Sequence, residues 1–438
     1  MKKNKKYSNK KIIFLTFPIF ILLLLIFGIY FINSINPVSA QLIRELLPSE
    51  FKSLIKERVC LYKYYVPEFK NENIFPDTQF LKLAYHEIPI SGLEARDTYF
   101  ADKKKAGHQV SSFYIETTDD KIIIISINGS TLFYETEKLI NKQNIKSKSI
   151  KNNLPTNITV DDTLIYKDKI FVSFRNRNKS CDTREIYTAK INFDFLNFKE
   201  FYKHGSNSKC KIGILFGGRM AIYNDAGDAT LLVSTKYPNV ENYPILEKYN
   251  KEIETIILLI NLKTKKSRPI SAGHRNPQGI LVNEKNIILE TEHGPKGGDE
   301  VNKIIEGENY GWPTSSYGAK YGPREDKLKY KKNHSMYNFK EPLYAFVPSI
   351  GISQIIKVPE SFSKKWDRSY LITSLRSLSI YRVIFDEKYS RIITMEKIRV
   401  GKRIRDINYN EKYNTFFLAL ENESGDVGLL SIDNTYIK

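Results

Sequence analysis

From Lys121 to Glu421 the sequence repeats one local pattern: two short runs rich in Ile, Val, Phe, Tyr and Thr, separated by a polar turn. Lys121–Glu135 (KIIIISINGSTLFYE) is the clearest case, because Asn128-Gly129 supplies two residues that tolerate the positive φ of a tight hairpin turn. Thr163–Arg175, Arg219–Thr235, Ile253–Ile270, Gln278–Glu292, Arg368–Phe385 and Ile407–Glu421 have the same form. Such residues suit a pleated, half-buried surface, and no long helical periodicity interrupts them. The spacing predicts an all-β fold. Many short, evenly spaced strands point to a six-bladed β-propeller, whose radial blades leave few exposed edges. About 360 residues divide into six four-stranded blades, within the usual range of four to eight.

The N-terminus has a different character. Residues 1–11 form a basic tail holding Lys2, Lys3, Lys5, Lys6, Lys10 and Lys11 with no acidic residue. Residues 12–32 (IIFLTFPIFILLLLIFGIYFI) carry no charge. A membrane-spanning helix needs about 20 apolar residues, whereas a signal peptide's apolar region runs to about 7–15. The segment is therefore read as a single transmembrane anchor. The lysines hold the N-terminus in the cytoplasm and send the bulk of the chain to the periplasmic, extracytoplasmic side. Cleavage after Ala40, following the small residues Val38-Ser39-Ala40, is the alternative, and it also exports the chain. Residues 33–70 read as a stalk, with Leu42, Leu46, Leu47, Phe51, Leu54 and Ile55 near one helical face and a break at Pro48. The propeller is expected over 71–438.

The net charge of +19 does not indicate nucleic acid. The lysines are scattered rather than gathered in a stripe with aromatics, so they imply at most attraction to an acidic envelope surface. In an oxidising compartment Cys181 and Cys210, both in polar stretches, are expected to pair, leaving Cys60 over. No Cys/His spacing suggests zinc or haem.

The densest concentration of chemistry runs from Ser271 to Gly318. Gly273-His274-Arg275-Asn276-Pro277-Gln278-Gly279 offers a guanidinium and an amide on a rigid turn. Glu292-His293-Gly294-Pro295-Lys296-Gly297-Gly298-Asp299-Glu300 gathers acids around glycines, which let backbone carbonyls approach a cation. Asn309-Tyr310-Gly311-Trp312-Pro313 follows. Taken singly, each is ordinary turn chemistry.

Taken together and in this order, GHRNPQG, EHGPKGGDEVN and NYGWP resemble the soluble glucose/sorbosone dehydrogenases, six-bladed propellers that use pyrroloquinoline quinone (PQQ) and calcium. The resemblance continues more thinly through Gly217-Gly218-Arg219, FVPSIGIS, Ser374-Leu375-Arg376 and Arg403-Ile404-Arg405-Asp406, and it excludes the anchor and stalk. It implies that Arg275 and Asn276 lie against the quinone and that Arg403 and Arg405 bind its carboxylates. Arg376 stands where the family has a quinone-contacting lysine. It implies an active-site calcium on the carbonyls of Gly294 and Pro295, and a structural calcium at Glu300 and Tyr310. Arginine's planar fork suits a tricarboxylate cofactor.

Two departures bear on activity. The family's catalytic base, a histidine, falls at Leu215, and leucine takes no proton. Thr235-Lys236 replaces a family Gly-Asp. His108 is a weak candidate for a replacement base, while His274 and His293 are supporting residues at most. The expectation is a membrane-anchored PQQ- and calcium-dependent aldose dehydrogenase that oxidises a sugar at its anomeric carbon. It would pass electrons to a membrane or periplasmic acceptor. The alternative is a non-catalytic propeller of the same family, serving as a ligand-binding or envelope-interaction module.

Overall fold

The computed structural model describes residues 83–90, 96–97, 109–110, 112–143, 145–178, 181–204, 217–236, 255–319, 330–422 and 425–432. The anchor, the stalk, Leu215, His108, Cys60, Cys210 and the Cys181 side chain lie outside these. Among the described residues no helix is long and apolar enough to cross a membrane. The chain divides into Met1–Val59 and Cys60–Lys438, and all the described residues belong to the second unit.

That unit is an all-β, six-bladed propeller. The inner strands are Phe113–Thr117, Ile158–Tyr166, Met220–Asp225, Pro277–Val282, Ile352–Lys357 and Arg403–Asn410, which neighbour one another in turn around the axis. They number blades 1 to 6. Each hairpin expected from the sequence is an antiparallel pair here; in blade 1, Lys121↔Glu135 and Ile125↔Thr131 flank the Asn128-Gly129 turn. Blades 1 and 3 each gain a short parallel strand at the outer edge, Phe195–Leu196 and Glu308–Asn309.

Ring closure comes from the N-terminal side. Leu83–Pro89 forms the outer strand of blade 6, antiparallel to Asp426–Ile432, with Leu83 opposite Ile432 and Pro89 opposite Asp426. The first described strand is thereby locked against the last. No local pattern announces this pairing.

Apolar side chains fill every seam between neighbouring blades. Phe113, Ile115 and Ile122 of blade 1 pack with Phe417, Ala419 and Val427 of blade 6. Similar clusters join blades 1 and 2, 2 and 3, 3 and 4, 4 and 5, and 5 and 6. Fully burying one such side chain is worth about 1.5–3 kcal/mol, so these seams are the main cohesion of the ring.

The centre, by contrast, is polar. Arg219, at the entry to blade 3, donates from Nη1 to Asp162 of blade 2 (2.8 Å) and Asp406 of blade 6 (3.2 Å), and from Nη2 to the Arg405 carbonyl (3.1 Å). Its guanidinium lies 4.9 Å from the Tyr114 ring of blade 1. Asp406 also accepts from the Ile115 amide (3.1 Å), and Asp162 from the Met220 amide (2.7 Å). Gly218 precedes Arg219 at φ +110°, and a Cβ there would come within 2.3 Å of Arg184 Nη1 and 2.4 Å of Asp161 Cβ. Glycine is what lets this strand enter so close to its neighbour.

Candidate active site

Each inner strand starts where the outer strand of the preceding blade ends. The first residues of the inner strands and the turns between second and third strands therefore share one end of the axis. That end receives Gly217, Arg275, Asn276, the 293–298 loop, Leu375-Arg376 and Arg403 to Arg405.

Glu292 organises the first of these. Its Oε2 accepts from the amides of Arg275 (2.5 Å) and Asn276 (3.2 Å), fixing the turn that enters blade 4. Asn276 in turn binds the 293 loop through its carbonyl, which accepts from the His293 amide at 3.0 Å. Its side-chain oxygen accepts from Gln278 Nε2 (3.0 Å) and the Gly217 amide (3.4 Å). Arg275 Nη1 donates to the carbonyls of His293 and Gly294, at 2.8 Å each, and the guanidinium lies 5.2 Å from the Trp312 ring. Gly294 is required by crowding, since a Cβ there would fall 2.0 Å from the Gly298 oxygen. Its amide donates to Asp299 Oδ1 (3.2 Å), whose other oxygen accepts from the Ile352 amide of blade 5 (3.0 Å).

The second arm is built on blade 6. Glu421 lies opposite Arg403 in the register, and a bulge at Arg405 lets both arginines reach it. Arg403 Nη2 donates to Glu421 Oε2 (2.8 Å), while Arg405 Nε (2.6 Å) and Ser112 Oγ (2.8 Å) donate to Oε1. Burial alone would raise the Glu421 pKa, but Arg405 and Arg403 overcome it and hold the carboxyl at about 2. Arg405 Nη1 then reaches Gln278 Oε1 (3.0 Å), and Arg403 Nη1 reaches the Leu375 carbonyl (3.3 Å). Asn276, Gln278, Arg405, Glu421, Arg403 and Leu375 thus form one hydrogen-bonded arc across blades 4, 6 and 5. Arg376 follows at its end, with its amide on the Ile350 carbonyl (3.0 Å).

The glucose/sorbosone dehydrogenase family model matches residues 259–430, which cover the whole of this arc. Residues 259–430 are a glucose/sorbosone dehydrogenase domain. An aldose sugar dehydrogenase of Escherichia coli is 29% identical over 140 residues, 31% of this chain and 37% of that protein. Quinoprotein glucose dehydrogenase B of Acinetobacter calcoaceticus is 30% identical over 106 residues, 24% of this chain and 21% of that one. The matched stretches thus span well under half of either relative. In fold, the solved soluble aldose sugar dehydrogenase of E. coli superposes with a TM-score of 0.59 at 18% identity, covering 80% of this chain and 99% of that one. A solved glucose dehydrogenase gives 0.58 at 21% identity, covering 73% and 99%.

Within the dehydrogenase domain, Arg275, Asn276, Arg376, Arg403 and Arg405 all come to one end of the axis. Arg403 and Arg405 share one buried carboxylate, Glu421, and Arg275 and Arg376 come to the same end of the axis, a set of cationic side chains suited to a tricarboxylate. The quinone therefore fits the residues present. The two calcium positions fit less simply. The Gly294 carbonyl is already an acceptor for Arg275, so a calcium ion there shares or displaces that bond. Glu300 turns toward His334, with Oε1 and Nε2 3.8 Å apart, and burial raises its pKa well above the ordinary range. The Tyr310 hydroxyl donates to the Lys303 carbonyl (2.5 Å) and accepts from the Ile305 amide (3.0 Å), leaving its own carbonyl as the donor it could offer a cation.

Glu421, Glu292 and Gln278 were not singled out from the sequence. The signal for Glu421 was present only in the register that sets it opposite Arg403.

Proposed function

We propose that this chain is a membrane-anchored, PQQ-dependent aldose dehydrogenase of the cell envelope. The observation that carries this reading is the arc from Asn276 to Leu375, which presents Arg275, Arg376, Arg403 and Arg405 around one end of the axis. When bound there, the quinone supplies a two-electron acceptor for the hydride leaving the anomeric carbon of a sugar.

The chain's own residues bind and orient. Arg403 and Arg405 are the groups that would hold cofactor carboxylates, with Glu421 fixing their spacing and Arg376 completing the set. Arg275 places a permanent positive charge beside the 293–294 carbonyls, where it can stabilise an oxygen gaining negative charge. Asn276, tied to Gln278, is held in one orientation. The apolar segment 12–32 tethers the propeller outside the cytoplasm, within reach of an envelope electron acceptor.

The test is direct. The purified full chain is incubated with PQQ, with and without calcium, and quinone absorbance and dye reduction are followed across a panel of aldoses. Quinone binding with sugar-dependent dye reduction is the expected result. Binding without turnover would identify a non-catalytic propeller, and no binding would overturn the reading.

A further inference from the structure

Behind the active-site turn, between blades 3 and 4, lies a buried cluster of acids with no hydrogen-bonded cation among the described residues. Glu290 and Glu292 alternate onto one face of Ile288–Glu292, and Asn302 of Asp299–Ile304 faces them across the register. Asn302 Nδ2 donates to Glu290 Oε2 (3.0 Å) and to Glu292 Oε1 (3.2 Å). His274, at the end of the fourth strand of blade 3, Ser267–His274, closes the group. One ligand atom each from His274, Glu290 and Glu292 lie within 4.8 Å of one another. Glu290 and His274 are fully buried, and Glu292 is 3% exposed.

Three atoms in this cluster lack any hydrogen bond: His274 Nδ1, Glu290 Oε1 and Asn302 Oδ1. The histidine is informative because its other nitrogen is engaged. Nε2 lies 2.9 Å from Ser271 Oγ, and the Tyr310 ring stacks on the imidazole at 4.6 Å. With the Nε2 proton given to Ser271, Nδ1 presents a bare lone pair 3.7 Å from Glu292 Oε1. That separation is too long for a hydrogen bond but suits two ligands of one cation. A ring nitrogen held by an outer partner while the other faces carboxylates is the usual support for a metal-bound histidine. The Arg275 and Asn276 amides donate to the other oxygen of Glu292, Oε2, and fix the orientation of its carboxylate.

From this geometry we infer a divalent-cation site formed by His274 Nδ1, Glu290 and Glu292. One imidazole with two carboxylates favours zinc or manganese over calcium, which takes oxygen donors almost exclusively. The site differs in its ligands from the calcium positions expected at Gly294/Pro295 and Glu300/Tyr310. It would brace, from behind, the turn that carries Arg275 and Asn276, because Glu292 serves both.

The competing way to relieve this buried charge is a proton on Glu290, and burial does raise its pKa well above the usual range. The experiment separates the two. The full chain is stripped with chelator, saturated with calcium to fill oxygen-only sites, then dialysed against zinc or manganese chloride and analysed for bound metal. About one zinc or manganese per chain is expected in the wild type, with a rise in the unfolding midpoint on metal addition. Glu290→Gln, and independently His274→Gln, should retain less than about a tenth of that metal. X-ray absorption at the metal edge of the wild type should show a single imidazole among oxygen ligands, a readout that needs no variant to fold. Metal content in the wild type no higher than in Glu290→Gln would overturn the site. So would a metal-free Glu290→Gln protein more stable than metal-free wild type with no response of the wild type to metal, which would mark a shared proton.

Discussion

Arg275 Nη1 donates to the Gly294 carbonyl at 2.8 Å, so a cation belonging to the chain already occupies one of the two carbonyls expected to hold calcium. A guanidinium cannot be removed by chelator. Quinone uptake by the wild type is therefore expected to persist in EGTA, whereas Arg275→Ala, with that carbonyl free, should bind quinone only when calcium is added. The expected gap between the two proteins in EGTA is at least about tenfold in affinity, or ~1.4 kcal/mol. Absorbance titrations with PQQ in EGTA and in calcium measure it. Equal loss of binding in both proteins would mean that the guanidinium makes no contribution as a cation.

At the entry to blade 3, Arg219 joins Asp162, Asp406 and the Arg405 carbonyl, so one side chain ties blades 2, 3 and 6. Removing it strands two buried carboxylates. Arg219→Met should destabilise the propeller by about 3–5 kcal/mol, the usual cost of breaking a buried ion pair from one side. Arg219→Met with Asp162→Asn and Asp406→Asn together should recover much of that loss, because no uncompensated charge then remains. Urea unfolding of the three proteins decides it, and a single variant as stable as wild type would show that the hub adds nothing.

The hairpins were legible in the sequence because a strand pair and its turn are local: Asn128-Gly129 between two β-rich runs needs nothing beyond its neighbours. The dehydrogenase-like loops were legible for the same reason, since GHRNPQG and EHGPKGGDEVN are contiguous. Two features were not. Leu83–Pro89 completes blade 6 by pairing with Asp426–Ile432 from the far end of the chain, and no local pattern encodes a partner so distant. Glu421 is equally silent in sequence, where it ends one more apolar run (TFFLALE). Its role comes only from the register that sets it opposite Arg403.

That role predicts a pH dependence. Arg405 and Arg403 hold the Glu421 carboxyl at about 2 against the upward push of burial, below the ordinary glutamate value of about 4.3. A depressed folded-state pKa contributes stability that is fully present above the unfolded value and lost as pH falls through the folded one. The wild type should therefore lose on the order of 3 kcal/mol from this group between about pH 4.5 and pH 2. In Glu421→Gln that component of the acid limb should vanish, leaving a shallower slope over the same interval. Denaturant midpoints taken across the interval test it, and parallel curves for the two proteins would refute it.

The last prediction concerns proton transfer. The family's base falls at Leu215, which lies outside the described residues, but Gly217 is only two positions further on. The Gly217 amide donates to Asn276 Oδ1 at 3.4 Å, which brings Gly217 into the site beside the arc that carries the arginines. A positioned general base contributes about 10²–10⁴-fold to rate. Leu215→His should raise sugar-dependent dye reduction by a factor in that range while leaving quinone affinity within about twofold of wild type, since cofactor grip and proton transfer reside in different residues. The pH profile of the variant should also show a new ionisation near the histidine value of about 6.5, below which activity falls as the imidazole becomes protonated. A variant that binds quinone as wild type does, yet gains neither rate nor that ionisation, would show that the limit on turnover is something other than the missing base.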